Sequence, residues 1–264
     1  MKSPHPPSTN PHRGFSPVGL ENVSTISGYG ANGTTKSGIL LKDMKESYDI
    51  GSPHDPLYRN IWPPPGTHDT FEPTFTHFFQ TCHTIQLTIL HALSLGLGLS
   101  PTTLPSLHAH QHNELRLIHY PPAPLTAFTD STRVAVHSDF GTITLLFQDR
   151  VGGLQVESPP YSNSFHEITS HGLQECIVNV GDCLEKWTGG RLRSARHRVH
   201  LPERKEESGE EGIVEERFSI AYFAKPDRSA SLKPLVGKEA EEEGDDGKWM
   251  TAGEFQNMRI NGTY

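Results

Sequence analysis

His137 and Asp139 stand two apart in VAVHSDFGTITLLF, and His197 follows Asp139 by 58 positions in RSARHRVHLP. Two imidazoles and one carboxylate make the ligand set of a non-haem Fe(II) site, which leaves three coordination positions open for substrate and oxygen. On a strand, residues two apart project to one face, so His137 and Asp139 point together into a barrel interior while Ser138 points away. The third ligand must come from a distant strand, and the polar flanks of His197 suit a strand end. The same trio can hold zinc in a hydrolytic enzyme, but no general base stands beside it.

Such a grip needs a stiff frame, and the sequence supplies short β-rich runs. LRLIHYPP, RVAVHSDFG, TITLLFQD, GGLQVES, CIVNVGD and RFSIAYFA are separated by Gly, Pro, Asp and Asn turns. Many short strands at this spacing predict a sandwich or barrel, here a jelly roll with core near 115–227. Before it, Phe71, Phe75, Phe78, Phe79, Cys82, Gln86, Ile89, Leu90, Leu93 and Leu97 recur near helical spacing. Pro73 suits a first turn, and Gly96 with Gly98 suits an end, which predicts one long helix over 71–97. The expected fold is therefore mainly β with flanking helices, one long helix preceding the barrel. Residues 1–66 are rich in Gly, Pro, Ser and Asn without a sustained period and are expected as loops wrapped on the body formed by 67–264. The charged stretches 203–216 and 237–248 read as solvated loops, and MTAGEFQNMRINGTY suits a closing short helix.

Bulk properties narrow the function. A chain of 264 residues has length for one large catalytic domain. Its net charge of −8 and lack of a basic stripe argue against a nucleic-acid partner. Cys82, Cys176 and Cys183 are odd in number and not spaced as CxxC, which favours a reducing compartment over a disulfide framework. The N-terminus has no apolar signal-like run and the apolar stretch 85–99 is interrupted by polar residues, so a cytoplasmic location without a membrane span is expected. The sequons at Asn22, Asn32 and Asn261 are then chance matches. Among the 16 histidines, His5, His12, His54, His68, His77, His83, His91, His108, His110 and His112 lack a carboxylate at strand spacing and are assigned to surface or structural roles. Asn179, Gly181 and Asp182 in NVGD read as turn chemistry, and Phe140, Leu145, Phe147, Trp187 and Phe223 as core or pocket wall.

RLIHYPP, HSDFGTITLLFQDRVGGLQV, NVGDCLEKWTGGRLRSARHRVHLP and RFSIAYFAKPD occur in an order that resembles the Fe(II)/2-oxoglutarate dioxygenases of the isopenicillin-N-synthase-like class. HRGFSPVGLEN and DMKESYDIG are similar to that family's segments before the long helix. The resemblance implies a double-stranded β-helix with His137, Asp139 and His197 as iron ligands. It also implies that Arg217 and Ser219 of RFS, which alternation puts on one face, hold the distal carboxylate of 2-oxoglutarate, with Tyr120 of HYP donating to the same group. A planar guanidinium fork and a hydroxyl suit that anion. The implied reaction consumes 2-oxoglutarate and O₂, with ascorbate as reductant, and oxidises a small organic molecule, by hydroxylation as the default, releasing succinate and CO₂.

Two departures accompany the resemblance. The family's early strands and its GFFxxxNHG-like segment have no counterpart before HRG, so an exposed sheet edge and a more open pocket are expected. His197 and Arg217 lie 20 apart with an acidic insertion between them, which a surface hairpin tolerates. Two rivals therefore stay open beside the dioxygenase: an iron oxidase of the same family that does not use 2-oxoglutarate, and a non-catalytic remnant that binds metal or ligand. Substrate identity and oligomeric state are not legible.

Overall fold

The computed structural model describes residues 13–20, 42–129, 131–170, 174–202, 212–237, 240 and 249–260. Of the stretches expected as loops, 203–216 and 237–248, residues 203–211, 238, 239 and 241–248 lie outside those residues, as do the three sequons, His5 and His12, while Ile213–Val214 of the first stretch form a short strand paired with Ala123–Pro124. In chain order, β1 (Gly14–Ser16), β2 (Lys42–Asp43) and β3 (Glu46–Gly51) precede the long helix α1 (Phe71–Gly96) and the short α2 (Thr103–Ser106). Next come β4 (Glu114–Tyr120), β5 (Ala123–Pro124), β6 (Ser131–Thr132), β7 (Val134–His137), β8 (Ile143–Gln148), β9 (Leu154–Glu157), β10 (Phe165–Glu167) and β11 (Ile177–Val180). The chain continues through α3 (Asp182–Trp187), β12 (His197–Val199), β13 (Ile213–Val214), β14 (Arg217–Ala224) and α4 (Ala252–Ile260).

Two sheets form the body, one of six strands in the order β1-β3-β4-β14-β8-β11 and one of four in the order β10-β9-β12-β7. All their pairings are antiparallel, and the whole is the expected jelly roll, a double-stranded β-helix. Period-2 alternation divides the large sheet cleanly. On β14, Arg217, Ser219, Ala221 and Phe223 face a cavity between the sheets, while Ile220, Tyr222 and Ala224 join the main apolar core. On β8, Thr144 and Leu146 face the cavity while Ile143, Leu145 and Phe147 face the core.

The long helix covers that core face. Phe79, Cys82, His83, Gln86, Leu90 and Ser94 are its buried stripe, spaced as one helical face requires. Phe79 meets Tyr222 and Phe78 meets Phe147 edge-on, each at 5.4 Å between ring centroids, and the Tyr222 hydroxyl donates to Gln86 Oε1 at 3.1 Å. The helix stops as its glycines predict. Gly98, at φ +77°, donates its N–H to Leu95 O, and Leu99 donates to Ser94 O, the bonding pattern of a left-handed glycine C-cap. At the other end of the chain, α4 begins with a reciprocal cap: Glu254 N–H donates to Thr251 Oγ1 and Thr251 N–H donates to Glu254 Oε2.

The region expected as loops differs. β3 pairs with β4 over six residues, and β1 pairs with β3. The strand escaped a hydropathy reading because its buried positions include Ser47 and Asp49, and Asp49 is tolerated there by Arg116, which donates from Nε at 2.6 Å and Nη2 at 3.1 Å. Among the described residues no helix is long and apolar enough to cross a membrane.

Candidate active site

His137 closes β7 and His197 opens β12, and the register sets the two directly opposite one another on neighbouring strands. Their rings lie 4.3 Å apart between centroids. Asp139 is not on the strand: it falls two residues past His137, in the loop that leads to β8. That loop is pinned from below by α3, whose Asp182 and Cys183 amides donate to the carbonyls of Asp139 (2.8 Å) and Gly141 (2.9 Å). The approach needs glycine on both sides, since a Cβ on Gly181 would stand 2.4 Å from Gly141 O and one on Gly141 would stand 2.4 Å from Ala224 O. From outside, Arg259 of α4 stacks on Phe140 at 4.6 Å, donates to Ser138 Oγ at 3.2 Å and pairs with Asp182 at 3.5 Å. Ser138 thus points away from the cavity, as alternation requires.

The geometry matches the expectation for a metal grip. One ligand atom each from His137, Asp139 and His197 can be chosen so that all lie within 4.8 Å of one another; Asp139 Oδ1 is 3.9 Å from His137 Nε2 and 3.8 Å from His197 Nε2. His137 Nδ1 bonds to Ala135 O and His197 Nδ1 to Ala195 O, each at 2.9 Å. A carbonyl only accepts, so both Nδ1 atoms carry the proton and both Nε2 lone pairs face Asp139, the orientation that a metal needs. Burial, reinforced by the His197 ring, pushes the His137 pKa well down, which keeps it neutral. Burial alone would raise the Asp139 pKa, but the two imidazoles and then the hydrogen bonds of Thr144 and Asn179 outweigh it and hold the group below its ordinary range.

Those two hydrogen bonds are the part that sequence reasoning missed. Thr144 Oγ1 donates to Asp139 Oδ2 at 2.6 Å and Asn179 Nδ2 donates to the same oxygen at 2.7 Å, so Oδ1 is left for a cation. Asn179 is therefore more than turn chemistry. Its side chain, on β11 next to β8, reaches the carboxylate across the strand pair, and the only signal in the sequence was its place in NVGD. His110 and His112 also find a carboxylate, Asp227, at 2.9 and 3.7 Å, brought from 115 or more positions away. His108 is fully buried between Leu104 O and Thr142 Oγ1, both at 2.8 Å, a structural role.

The cavity holding the trio has a volume of about 370 Å³. Ile118, Leu146, Leu154, Val156 and Val199 supply much of its wall, and Phe223 lines it too. Leu145 and Trp187 belong to the core behind it. The three residues expected to bind a carboxylate, Tyr120, Arg217 and Ser219, line the same cavity. Arg217 is buried, and its fork is aimed by Gln148 Oε1 (2.6 Å) and Ser219 Oγ (3.2 Å), while Nε has no partner. Two guanidinium groups lie over the ring of Tyr120, that of Arg217 at 4.8 Å and that of Arg133 at 5.7 Å from its centroid. No ion pair reaches either arginine among the described residues, so a buried positive field stands ready for an anion. The donor set, and a buried guanidinium that has an unpartnered Nε and no ion pair among the described residues, fit a divalent metal and a dicarboxylate.

Comparison with known proteins agrees with this geometry. A family model described as the 2OG-Fe(II) oxygenase superfamily matches residues 111–226. The 2-oxoglutarate-dependent dioxygenase htyE of Aspergillus rugulosus is 41% identical over 268 residues, spanning 100% of this chain and 79% of that protein. The proline hydroxylase buaE of Petromyces alliaceus is 40% identical over 265 residues, again across 100% of this chain and 79% of that protein. A full-length Neurospora crassa protein solved in complex with alpha-KG and thymine superposes with a TM-score of 0.77 at 30% identity, covering 94% of this chain and 73% of that one. With its ligand trio, its jelly roll and relatives that match it from end to end, the chain belongs to the 2OG-Fe(II) oxygenase superfamily.

Proposed function

We propose that this protein is an Fe(II)- and 2-oxoglutarate-dependent dioxygenase that hydroxylates a small organic molecule. The observation that carries the reading is one cavity lined by both kinds of group: two Nε2 lone pairs converge with Asp139 Oδ1, and Arg217, Ser219 and Tyr120 of the same wall offer donors to a carboxylate.

His137, Asp139 and His197 would hold iron, which supplies the redox chemistry that couples O₂-driven decarboxylation of 2-oxoglutarate to substrate oxidation, with ascorbate as reductant and succinate and CO₂ as products. The chain's own residues do the orienting. Ala135 and Ala195 carbonyls fix the two imidazole tautomers, and Thr144 and Asn179 turn one carboxylate oxygen away so that the other faces the ion. Gln148 and Ser219 hold the Arg217 fork in plane for the distal carboxylate. Apolar side chains around the trio exclude bulk water and strengthen each of these interactions. The relative named a proline hydroxylase supports hydroxylation as the outcome. The three free cysteines, two of them buried, are consistent with a reducing cytoplasm.

Succinate release decides between this reading and its rivals. Protein supplied with Fe(II), ascorbate, O₂ and 2-oxoglutarate is expected to form succinate in proportion to enzyme, and turnover is expected to stop when 2-oxoglutarate is withheld. Substrate oxidation without 2-oxoglutarate would favour the oxidase instead, and absence of both activities would favour the non-catalytic remnant.

A further inference from the structure

We propose that Arg193 is the anchor for a carboxylate on the primary substrate, and hence that the enzyme acts on small organic acids with an apolar body. This rests on reading the cavity as an iron and 2-oxoglutarate site.

The cavity wall carries four cationic side chains, Lys45, Arg116, Arg193 and Arg217, against a single acidic one, Asp139. Three of the four are already engaged. Arg217 is held for the co-substrate, Arg116 is locked in a two-point pair with Asp49, and Lys45 is buried with contacts of its own. Arg193 has neither hydrogen bond nor ion pair among the described residues; its guanidinium rests 5.9 Å from the centroid of the Tyr161 ring. Acidic groups do lie close by, since Glu157, Asp182 and Glu185 share a smaller recess with Arg193 beside the main cavity. Each is committed elsewhere. Glu157 is bound by Arg196 at 3.0 Å, Asp182 by Arg259 at 3.5 Å, and Glu185 accepts the Ser194 amide at 2.6 Å.

Charge bookkeeping points the same way. A divalent ion on one carboxylate ligand, joined by a dicarboxylate co-substrate whose far end meets Arg217, sums to zero formal charge. Arg193, an exposed residue of the same wall, then remains a cation with no hydrogen bond or ion pair among the described residues, and a carboxylate is the planar anion that its fork fits. Its position suits a substrate contact, because it stands two residues before Ala195, whose carbonyl orients His197. The rest of the wall, with Ile118, Leu154, Val156 and Ile168, favours an apolar body on the same molecule.

The test uses paired probes: proline, pipecolate and leucine, each against its primary amide. Binding to the Mn(II)- and 2-oxoglutarate-loaded protein is measured calorimetrically without O₂, and probe-dependent succinate formation is measured with Fe(II). The expected result is that at least one acid binds about 10-fold or more tightly than its amide, that its acid stimulates succinate formation more, and that Arg193→Gln erases the difference. Arg193→Lys is expected to restore part of it. Stabilisation of Arg193→Gln by Mn(II) and 2-oxoglutarate in a thermal melt shows that the rest of the site is intact. Amides that bind as well as acids, discrimination that survives Arg193→Gln, or failure of every acid to bind would overturn the proposal. A wild-type protein that neither binds 2-oxoglutarate nor forms succinate would instead overturn the dioxygenase reading, and this proposal with it.

Discussion

Replacing Asn179 tests how the candidate metal site is built, because its shortest hydrogen bond goes to Asp139. Its Nδ2 donates to Asp139 Oδ2 at 2.7 Å, alongside Thr144 Oγ1 at 2.6 Å. A hydrogen bond to a charged group contributes about 1.5–3 kcal/mol, and the carboxylate here is only 5 % exposed, so solvent replaces the lost donor poorly. Thr144 keeps its bond and limits the rotation that follows. Asn179→Leu, similar in size and without a donor, is therefore expected near the lower end of that range, a loss of about 10-fold in metal affinity within the 10–100-fold span of such outer contacts. Thr144→Val is expected to do the same, and the double variant to lose less than the product of the two because both donors share one oxygen. Mn(II) titration by calorimetry gives the constants, and a melting curve checks that the fold is kept. A folded Asn179→Leu with wild-type Mn(II) affinity would refute the reasoning.

Three further outcomes are expected. Arg217→Lys keeps the charge but loses the fork aimed by Gln148 and Ser219, so KM for 2-oxoglutarate should rise by about 10-fold or more; an unchanged KM in steady-state succinate assays counts against its role. Glu114 is buried and accepts from Lys225 Nζ at 2.9 Å and Arg13 Nη1 at 3.4 Å; burial raises its carboxyl, but Lys225, then Arg13 and Arg116, outweigh burial and depress it. A depressed folded-state value gives stability that is present above the ordinary glutamate range and lost as pH falls below it, so Glu114→Gln should cost about 3–5 kcal/mol near neutrality and flatten the acid limb of Tm against pH, and a parallel limb would contradict the pairing. Phe79→Ala removes a fully buried ring set edge-on to Tyr222 and should cost about 3–5 kcal/mol in denaturant unfolding; a cost below about 1 kcal/mol would mean that α1 is not packed as described.

What the sequence made legible were features whose cause is local. The stripe from Phe79 to Ser94 repeats at helical period, so α1 and its glycine stop could be read off directly. The cavity and core faces of β14 alternate at period two, so Arg217 and Ser219 fell on one side together. His137 and Asp139 were visible as a pair because two residues of extended chain keep one face, even though Asp139 lies just past the strand. Features created by strands meeting were hidden. Asn179 and Thr144 become partners of Asp139 only once β8 and β11 pair, and Gln148 aims Arg217 only because β8 runs beside β14. β3 was obscured for a related reason: Asp49 is buried because Arg116 arrives opposite it on β4, and no hydropathy pattern carries that information.

The central claim is that His137, Asp139 and His197 form one iron site sharing its cavity with a 2-oxoglutarate site at Arg217. Anaerobic titration of the apoprotein with Fe(II) and then 2-oxoglutarate, followed by the visible absorption that arises when a 2-oxo acid chelates ferrous iron, tests it most directly. One equivalent of iron is expected to bind, with a band that saturates with one equivalent of 2-oxoglutarate, weakens in Arg217→Leu and is absent in Asp139→Ala. A folded Asp139→Ala protein that still binds iron and develops the full band would contradict it.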